Sequence, residues 1–560
     1  MSRRPHRNNI VLFPTLVQNR VENKPHAARF FLYIANTLYV PFYRTCKEGT
    51  PPYDRPTLVA LILYGLYKGN FSAQKIIDMA EDSIGATWIL GGMEIPSAKT
   101  VDRVIDDILD SIDLVFMQII QLCQAFKLIG NKRSFIDGTK TKANASKHKA
   151  MSYEYLCDKI DNTEGKIQDL IQDSMEYVNE YAELNDDEFY YLVQRESKEI
   201  YEKAKAIHRE KLKQKQQAVF GKKQPPENTN NSELELISED DFEIFDFIDT
   251  DEDEKIKEIL DSIGYQASRL DTMKEGKENL EKKYKKENKD QKIPDDKQIN
   301  FTDPESSIMV TKHNGVQQCY NNFGLVDDKA YIILGTYTSN QSNDKKGLIP
   351  TIENAMAHTG NLQDIELGSD AGFYSANNIK YCKEQRIDYF TSIPESKSSF
   401  AKDKFEYDKE KDIYLCPGGQ ELLPPKNPRE GSDTRRYKTE KCKGCESQND
   451  CTRAKDGIRK IIRDLNDDPI REQAAKKAKT EKGIEILNQR KSVPEPVWGN
   501  MQKRDGLIQL HYRGLDKAGK EFKLRCTMHN LRKLLKVFMN NPEARTEIEN
   551  MGSYPSQAVG

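Results

Sequence analysis

Apolar residues recur at spacings of three and four through ARFFLYIANTLY, PTLVALILYGLYKG, SAQKIIDMAED and TVDRVIDDILDSIDLVFMQIIQLCQAF, which predicts an all-helical region from about residue 9 to 130. Ser97 and Thr100 offer starts for the last helix, and Gly69, Gly85 and Pro96 are expected to separate one helix from the next. Short helices joined by glycine turns fit a DNA-reading helix-turn-helix and a plain bundle equally well. The texture then changes. KRSFID predicts a short strand that delivers Asp137 at its end, with DGTKTKANASKHK following. Residues 152–218 and 255–290 are long, charged and helix-favouring; between them 220–232 is linker-like, and 233–254 holds twelve acids and no base. This predicts a helical hairpin or coiled coil with a partly disordered acidic tip, inserted into a different domain.

Strand-like segments resume after residue 305 as SSIMVTKH, GVQQCYNNFGLV and AYIILGTYT. A helix from Gly347 to His358, a strand DIELGSD ending at Asp370, a helix from Ser375 and a strand IDYFTSI continue the series. Alternation on this scale predicts a mixed α/β sheet domain. Residues 396–480 lose the rhythm and carry a cysteine cluster; helix returns near 484–503, LIQLHYRG is extended, and HNLRKLLKVFM closes as a helix. The expected organisation is a helical domain over 1–130, a sheet core assembled from 131–150, 305–395 and 481–545, a charged insertion over 151–304, a cysteine-rich insertion over 396–480 and a tail over 546–560.

At 560 residues the chain is several times the ~150 of one domain, and its 37% hydrophobic and 31% charged residues fit a protein with much solvated helix. No segment approaches the ~20 consecutive apolar residues of a membrane span, no secretion signal is read at the start, and ten cysteines are too sparse for a disulfide scaffold, so the reducing cytosol is the expected compartment. The net charge of −3 hides an asymmetry: residues 151–300 carry −15, leaving +12 on the rest. Basic clusters at 131–150, 426–463 and 501–540 suit a polyanion such as DNA, although each alone also reads as solvated surface.

Two acids are expected where strands end, Asp137 in FIDGTK and Asp370 in LGSDAGFYS, and a third, Glu495, lies in RKSVPEPVWG beside Arg490, Lys491, Lys503 and Arg504. Three converging carboxylates repel one another unless a cation neutralises them, and hard oxygen ligands select magnesium or manganese. Cys416 in YLCPGG and Cys442, Cys445 and Cys451 in KCKGCESQNDC have the makings of a four-thiolate zinc site, or are simply reduced structural cysteines. Arg435, Arg436, Lys438, Lys441, Lys443 and Arg453 around them would let such a knuckle rest on DNA. The lone His148 and His313 read as polar surface, Trp498 as core, and Tyr320 to Phe323 as strand core.

In order, DGTKTKANASKHK, TDPESSIMVTKHNGVQQCYNNFG, LGSDAGFYS and RKSVPEPVWG resemble the motifs of the DDE transposases of bacterial insertion sequences, and among these the eleven-eighty-two group, over residues 10 to 540. The resemblance implies a ribonuclease H-like catalytic core in a prokaryotic, cytoplasmic, nucleoid-associated enzyme that cleaves DNA and transfers strands. It implies that Asp137, Asp370 and Glu495 hold two magnesium (or manganese) ions, that zinc sits in the cysteine insertion, and that the N-terminal helices bind terminal inverted repeats within a homodimer or larger assembly. Lys140, Lys142, Lys147, Arg490, Lys491, Lys503 and Arg513 would contact double-stranded DNA. Two positions depart from the pattern: Leu487 stands where relatives often carry tyrosine, and Gln502 where they carry lysine, with Lys503 one residue later. The rival reading is a transposase-derived DNA-binding protein without catalysis; a nuclease lacking strand transfer is a third.

Overall fold

The computed structural model describes residues 20–41, 53–146, 149–182, a few positions between 201 and 213, and 254–287, 292–311, 315–427 and 431–553. Lys147, His148, His313 and the acidic stretch 233–253 lie outside the described residues. The chain divides into two compact units, one formed by 1–144 with 308–560 and the other by 145–307.

In the first unit, among the described residues, the N-terminal periodicity becomes six helices: α1 (Ala27–Thr37), α2 (Arg55–Tyr67), α3 (Ala73–Asp82), α4 (Ile84–Leu90), α5 (Ala98–Asp110) and α6 (Ile112–Ala125). Side-chain oxygens set the starts: Asp54 accepts from the Thr57 N–H, Ser72 from Lys75, Ser83 from Ala86 and Ser97 from Thr100. Gly85 therefore lies inside α4 rather than at a break, which falls at Ser83, and Ser97 rather than Thr100 caps α5. The single run expected after Thr100 is two helices meeting at Ser111 with a 72° bend, because their buried faces point into different neighbours. Among the described residues no single helix is long and apolar enough to cross a membrane.

Six strands form one mixed sheet: β1 (Arg133–Lys142), β4 (Ser307–Thr311), β5 (Gly315–Asp327), β6 (Ile333–Ser339), β7 (Glu366–Ser369) and β8 (Asp388–Thr391), ordered β4-β5-β1-β7-β8 with β6 also on β5. β1 runs antiparallel to β5 from Ser134↔Asp327 to Lys142↔Cys319, and parallel to β7. Asp137 is therefore inside a ten-residue strand and not at the end of a short one: Thr139 and Thr141 turn inward and keep the ladder paired past it. Helix α9 (Leu348–Thr359) lies on β6, where a Cβ on Gly335 would come within 2.6 Å of Ala355, so only glycine permits this approach. α10 (Ala376–Glu384) connects β7 to β8.

After β8 come two small sheets, β9 (Glu406–Asp408), β10 (Ile413–Leu415) and β11 (Glu421–Leu422), then β12 (Thr434–Lys438) with β13 (Lys460–Asp464). Their core is Phe405, Tyr414, Leu422, Tyr437 and Ile461. Helices α11 (Asp468–Ala478), α12 (Glu481–Arg490), α13 (Pro494–Arg504), α14 (Leu515–Asn540) and α15 (Pro542–Ser553) complete the unit. The helix expected over 484–503 is thus two helices, divided ahead of Pro494. On α14, Asn530 accepts from the Ile333 N–H at 2.9 Å and donates to its carbonyl at 2.8 Å, satisfying the open side of β6. α15 takes in most of the expected tail: Asn36 donates to the Gly552 carbonyl at 2.9 Å and Arg29 pairs with Glu549 at 2.5 Å, fastening it to α1.

The second unit holds α7 (Tyr153–Ala182) and α8 (Glu254–Glu287), based on the antiparallel pair β2 (Ala150–Ser152) and β3 (Gln298–Asn300). Leu156, Ile160, Ile167 and Ile171 on α7 meet Leu260, Ile263, Ala267 and Leu270 on α8. Spacings alternating among three, four and seven residues make a coiled-coil seam, which explains how so charged a stretch still buries an apolar face.

Candidate active site

Asp137 pairs across the sheet with Gly324. A side chain at Gly324 would collide with Trp498, whose Cη2 stands 2.5 Å from the position of its Cβ, so the missing Cβ lets the Trp498 ring rest on the β1–β5 pair. Trp498 is buried, as the core reading expects, and anchors α13 there. Glu495 sits one turn earlier, in the first turn of α13 behind Pro494, where the positive end of the helix dipole favours a carboxylate. Arg490 closes α12 and reaches both acids: Nη1 is 3.9 Å from Asp137 Oδ1 and Nη2 is 3.9 Å from Glu495 Oε1. Asp137 and Arg490 are mostly buried, whereas the Glu495 side chain is half exposed.

Asp370 follows the last residue of β7. The parallel register Arg133↔Glu366, Ser134↔Leu367, Phe135↔Gly368 ends two residues before each acid, so Asp137 and Asp370 both follow the last paired residues of neighbouring strands. Its Oδ1 accepts from the Gly372 N–H at 2.9 Å, and its carbonyl accepts from the Thr391 hydroxyl at 3.0 Å, so both strand and turn fix its direction. The three acids are all hard oxygen donors, which suits a divalent cation such as magnesium. Among the described residues no three His, Cys, Asp or Glu side chains are gathered closely enough to hold a metal ion. The guanidinium of Arg490 lies between Asp137 and Glu495.

The basic residues named from sequence are spread around this point. Lys140 stands opposite Asn321 on β5, and Lys142 forms an isolated parallel bridge to Gln509; apart from that bridge LIQLHYRG is turns and bends rather than the extended segment expected. Lys491 and Lys503 are exposed, and Lys503 lies eight residues beyond Glu495, about 12 Å along the helix axis at 1.5 Å per residue. Arg513 is exposed and donates to the Asn144 carbonyl at 3.2 Å. Much of the 501–540 cluster is used internally: Arg525 pairs with Glu521, Arg532 with Asp505, Lys520 with Asp110 and Lys523 with Asp113. Those charges hold α14 to its neighbours, which the linear count could not reveal.

Cys416, Cys442, Cys445 and Cys451 line one pocket of the cysteine-rich region. Cys416 leaves β10 in a tight turn whose Gly419 has a φ of +75°, and Gly444, at φ +82°, lets the Cys445 N–H fold back to the Cys442 carbonyl. Burial raises the Cys451 thiol above its ordinary value; Arg459 opposes this, and Cys442, Cys416 and Cys445 add to it, so the four sulfurs sense one another. Four converging thiols suit zinc in ligand chemistry, although they too stand wider apart than a ligand set.

Sequence reading missed Asp344 and Asn321. Asn321 Nδ2 donates to Asp344 Oδ1 at 2.7 Å beside Asp370. The only local signal is the polar run SNQSNDKKG directly after a strand.

Residues 415–535 match the family described as transposase DDE domain. Over that stretch the chain is similar to transposase DDE domains. The matched stretch contains the four cysteines, Arg490 and Glu495, and stops short of the segments that carry Asp137 and Asp370. No curated protein and no solved structure matches the chain.

Proposed function

We propose that the protein catalyses divalent-metal-dependent cleavage of DNA at the ends of an insertion sequence and joins the freed 3′-hydroxyl to a target by in-line phosphodiester displacement. One juxtaposition supports this reading: a single arginine stands 3.9 Å from both Asp137 and Glu495, while the β1–β7 register brings Asp370 to the same edge. Acids so distant in sequence have no local reason to meet. A sheet in which β6 and β5 run antiparallel on one side of β1 and β7 and β8 run parallel on the other fits a ribonuclease H-like core, and the family match over 415–535 fits the chemistry class.

In this reading Asp137, Asp370 and Glu495 hold two magnesium or manganese ions. Ions bound there supply an activated oxygen nucleophile and stabilise the departing oxygen. Arg490 must then leave its bridging position, and a scissile phosphate beside the acids is its natural new partner. Lys140, Lys142, Lys491, Lys503 and Arg513 hold the flanking backbone, and the N-terminal helices read the inverted repeats at two DNA ends within a homodimer or larger assembly. The thiols of Cys416, Cys442, Cys445 and Cys451 hold a structural zinc, with Arg436, Lys441 and Arg453 exposed beside it for DNA.

The test uses a supercoiled plasmid carrying the element's ends, with magnesium. Cleaved and joined products that vanish in Asp370→Ala, while end binding persists, support the transposase. Binding without cleavage by the unaltered protein under magnesium and manganese favours the non-catalytic binder, and cleavage without joining favours a nuclease.

A further inference from the structure

The pleat of β12 and β13 sorts the cations of the cysteine-rich region into two sets. Their antiparallel register pairs Thr434↔Asp464, Arg435↔Arg463, Arg436↔Ile462, Tyr437↔Ile461 and Lys438↔Lys460, and successive pairs point to opposite faces. Inward, Tyr437 and Ile461 join the small core. Arg463, 4% exposed, donates to Glu472 and to the Tyr414 hydroxyl and lies 3.6 Å over the Tyr407 ring, while Arg435 is held by Asp412 at 2.8 Å. Those two arginines are committed to the fold.

The outward face carries Arg436, Lys438, Lys460 and Ile462, all exposed. Leu423, hydrogen-bonded to Lys438 in both directions at 2.9 and 3.1 Å, adds a second exposed aliphatic side chain beside them. The one acid on this face, Asp464, accepts from the Asn466 and Asp467 N–H groups at 3.0 and 2.7 Å, so its carboxylate is occupied by the turn into α11. Lys438 approaches Glu440 at 3.8 Å and Lys460 approaches Asp456 at 2.5 Å; both pairs are solvent-exposed, so a phosphate can displace the acids at little cost. Arg436 has no ion-pair partner among the described residues.

The face is therefore cationic, and its charge is arranged in a particular order. At its centre a planar guanidinium stands directly across from the aliphatic Ile462, and two ammonium groups stand side by side at one end. Strands about 4.8 Å apart pass as a pair into a major groove roughly 12 Å wide, and side chains two positions apart on a strand are about 6.7 Å apart, roughly two base-pair steps. A guanidinium fork matches the two acceptors on a guanine edge, an aliphatic side chain matches a thymine methyl, and lysines match the phosphates where the ribbon leaves the groove.

We propose that the outward face of the β12–β13 ribbon enters the major groove of duplex DNA, with Arg436 on a guanine edge, Ile462 on a thymine methyl, and Lys438 and Lys460 on the adjoining phosphates. The proposal rests on the DNA-end reading above and deepens it: the cysteine-rich region reads base sequence, and does so through the ribbon.

The test compares binding of the full-length protein to a labelled duplex of the element's end and to a scrambled duplex of the same composition, at several salt concentrations. Arg436→Ala should weaken binding to the end roughly tenfold or more and shrink the preference over the scrambled duplex. Lys438→Ala and Lys460→Ala should weaken both duplexes alike, each lowering the salt slope by about 1. Replacing the end's guanines with 7-deazaguanine removes the N7 acceptor without touching the protein; it should cost the unaltered protein affinity and cost Arg436→Ala little more. Replacing thymine with uracil should likewise matter less to Ile462→Ala. An Arg436→Ala protein that keeps its preference for the end, or loses both duplexes equally, overturns the proposal, as does a 7-deazaguanine penalty equal in variant and unaltered protein. In those cases only the ribbon fails. If the unaltered protein does not prefer the end, the DNA-end reading fails with it.

Discussion

The carboxylate edge of the large sheet and the cysteine pocket both gather like groups that repel, yet they are supported in opposite ways. Asp137 and Asp370 project from adjacent strands of a six-stranded sheet covered by α9 and α14, and Arg490 supplies a counter-charge. The four cysteines hang on glycine turns and two small sheets whose core is five buried side chains. A rigid scaffold with its own counter-ion can hold its shape before any metal arrives. A region with so little core would gain its order from the zinc proposed for it. The first arrangement suits a site whose ions come and go during a reaction, and the second suits a permanent structural ion.

This contrast can be broken in four ways. Asp370→Ala should lower plasmid cleavage by roughly 10³-fold or more, the equivalent of several kcal/mol of transition-state stabilisation, while the melting temperature stays nearly constant. A comparable loss of stability would show that the sheet site is as fragile as the pocket. Cys442→Ser, or a strong zinc chelator, should destabilise the cysteine-rich region by several kcal/mol and expose residues 396–480 to protease, with the sheet intact. Equal protease resistance with and without chelator would remove zinc from the account.

A third probe is pH. Burial lowers His358, beside Lys523, and His529, on α14, to about 4 in the folded protein. The unfolded chain protonates them near 6.5, so their contribution is complete above that pH and is lost as pH falls from about 6.5 toward 4. Each should cost about 1.4 kcal/mol per pH unit in that window. Denaturant midpoints that stay level from pH 7 to 5 in the unaltered protein would contradict this, whereas His529→Gln should flatten the slope. The smallest effect is expected at Arg490→Gln, which should cost about 1 kcal/mol without metal and less with millimolar Mg2+, because the ion takes over the neutralising role. A penalty that Mg2+ leaves unchanged would mean that Arg490 serves packing alone.

Much of the element order was legible because periodicity is a local property. The strands after residue 305, the caps at Ser97 and Ser375 and the apolar seam within the charged insertion all follow from neighbours a few positions apart. Errors arose where distant partners decide. β1 continues through Lys142 because β5 lies alongside it, and residues 542–553 are helical because α1 offers Arg29 and Asn36. The basic run at 501–540 looked like a DNA-facing surface until Asp110, Asp113, Asp505 and Glu521 were found beside it.

The amino-acid order by itself determined which residues could be chemical: three acids in strand- and helix-linked motifs and four cysteines at tight spacing. Tertiary structure alone decided that Arg490 stands between Asp137 and Glu495, that Gly324 admits Trp498, and that Asp344 faces Asp370 across Gly372. The physical reason is that electrostatic and steric contacts act over a few ångströms, and only folding brings groups from separate stretches of chain within that range.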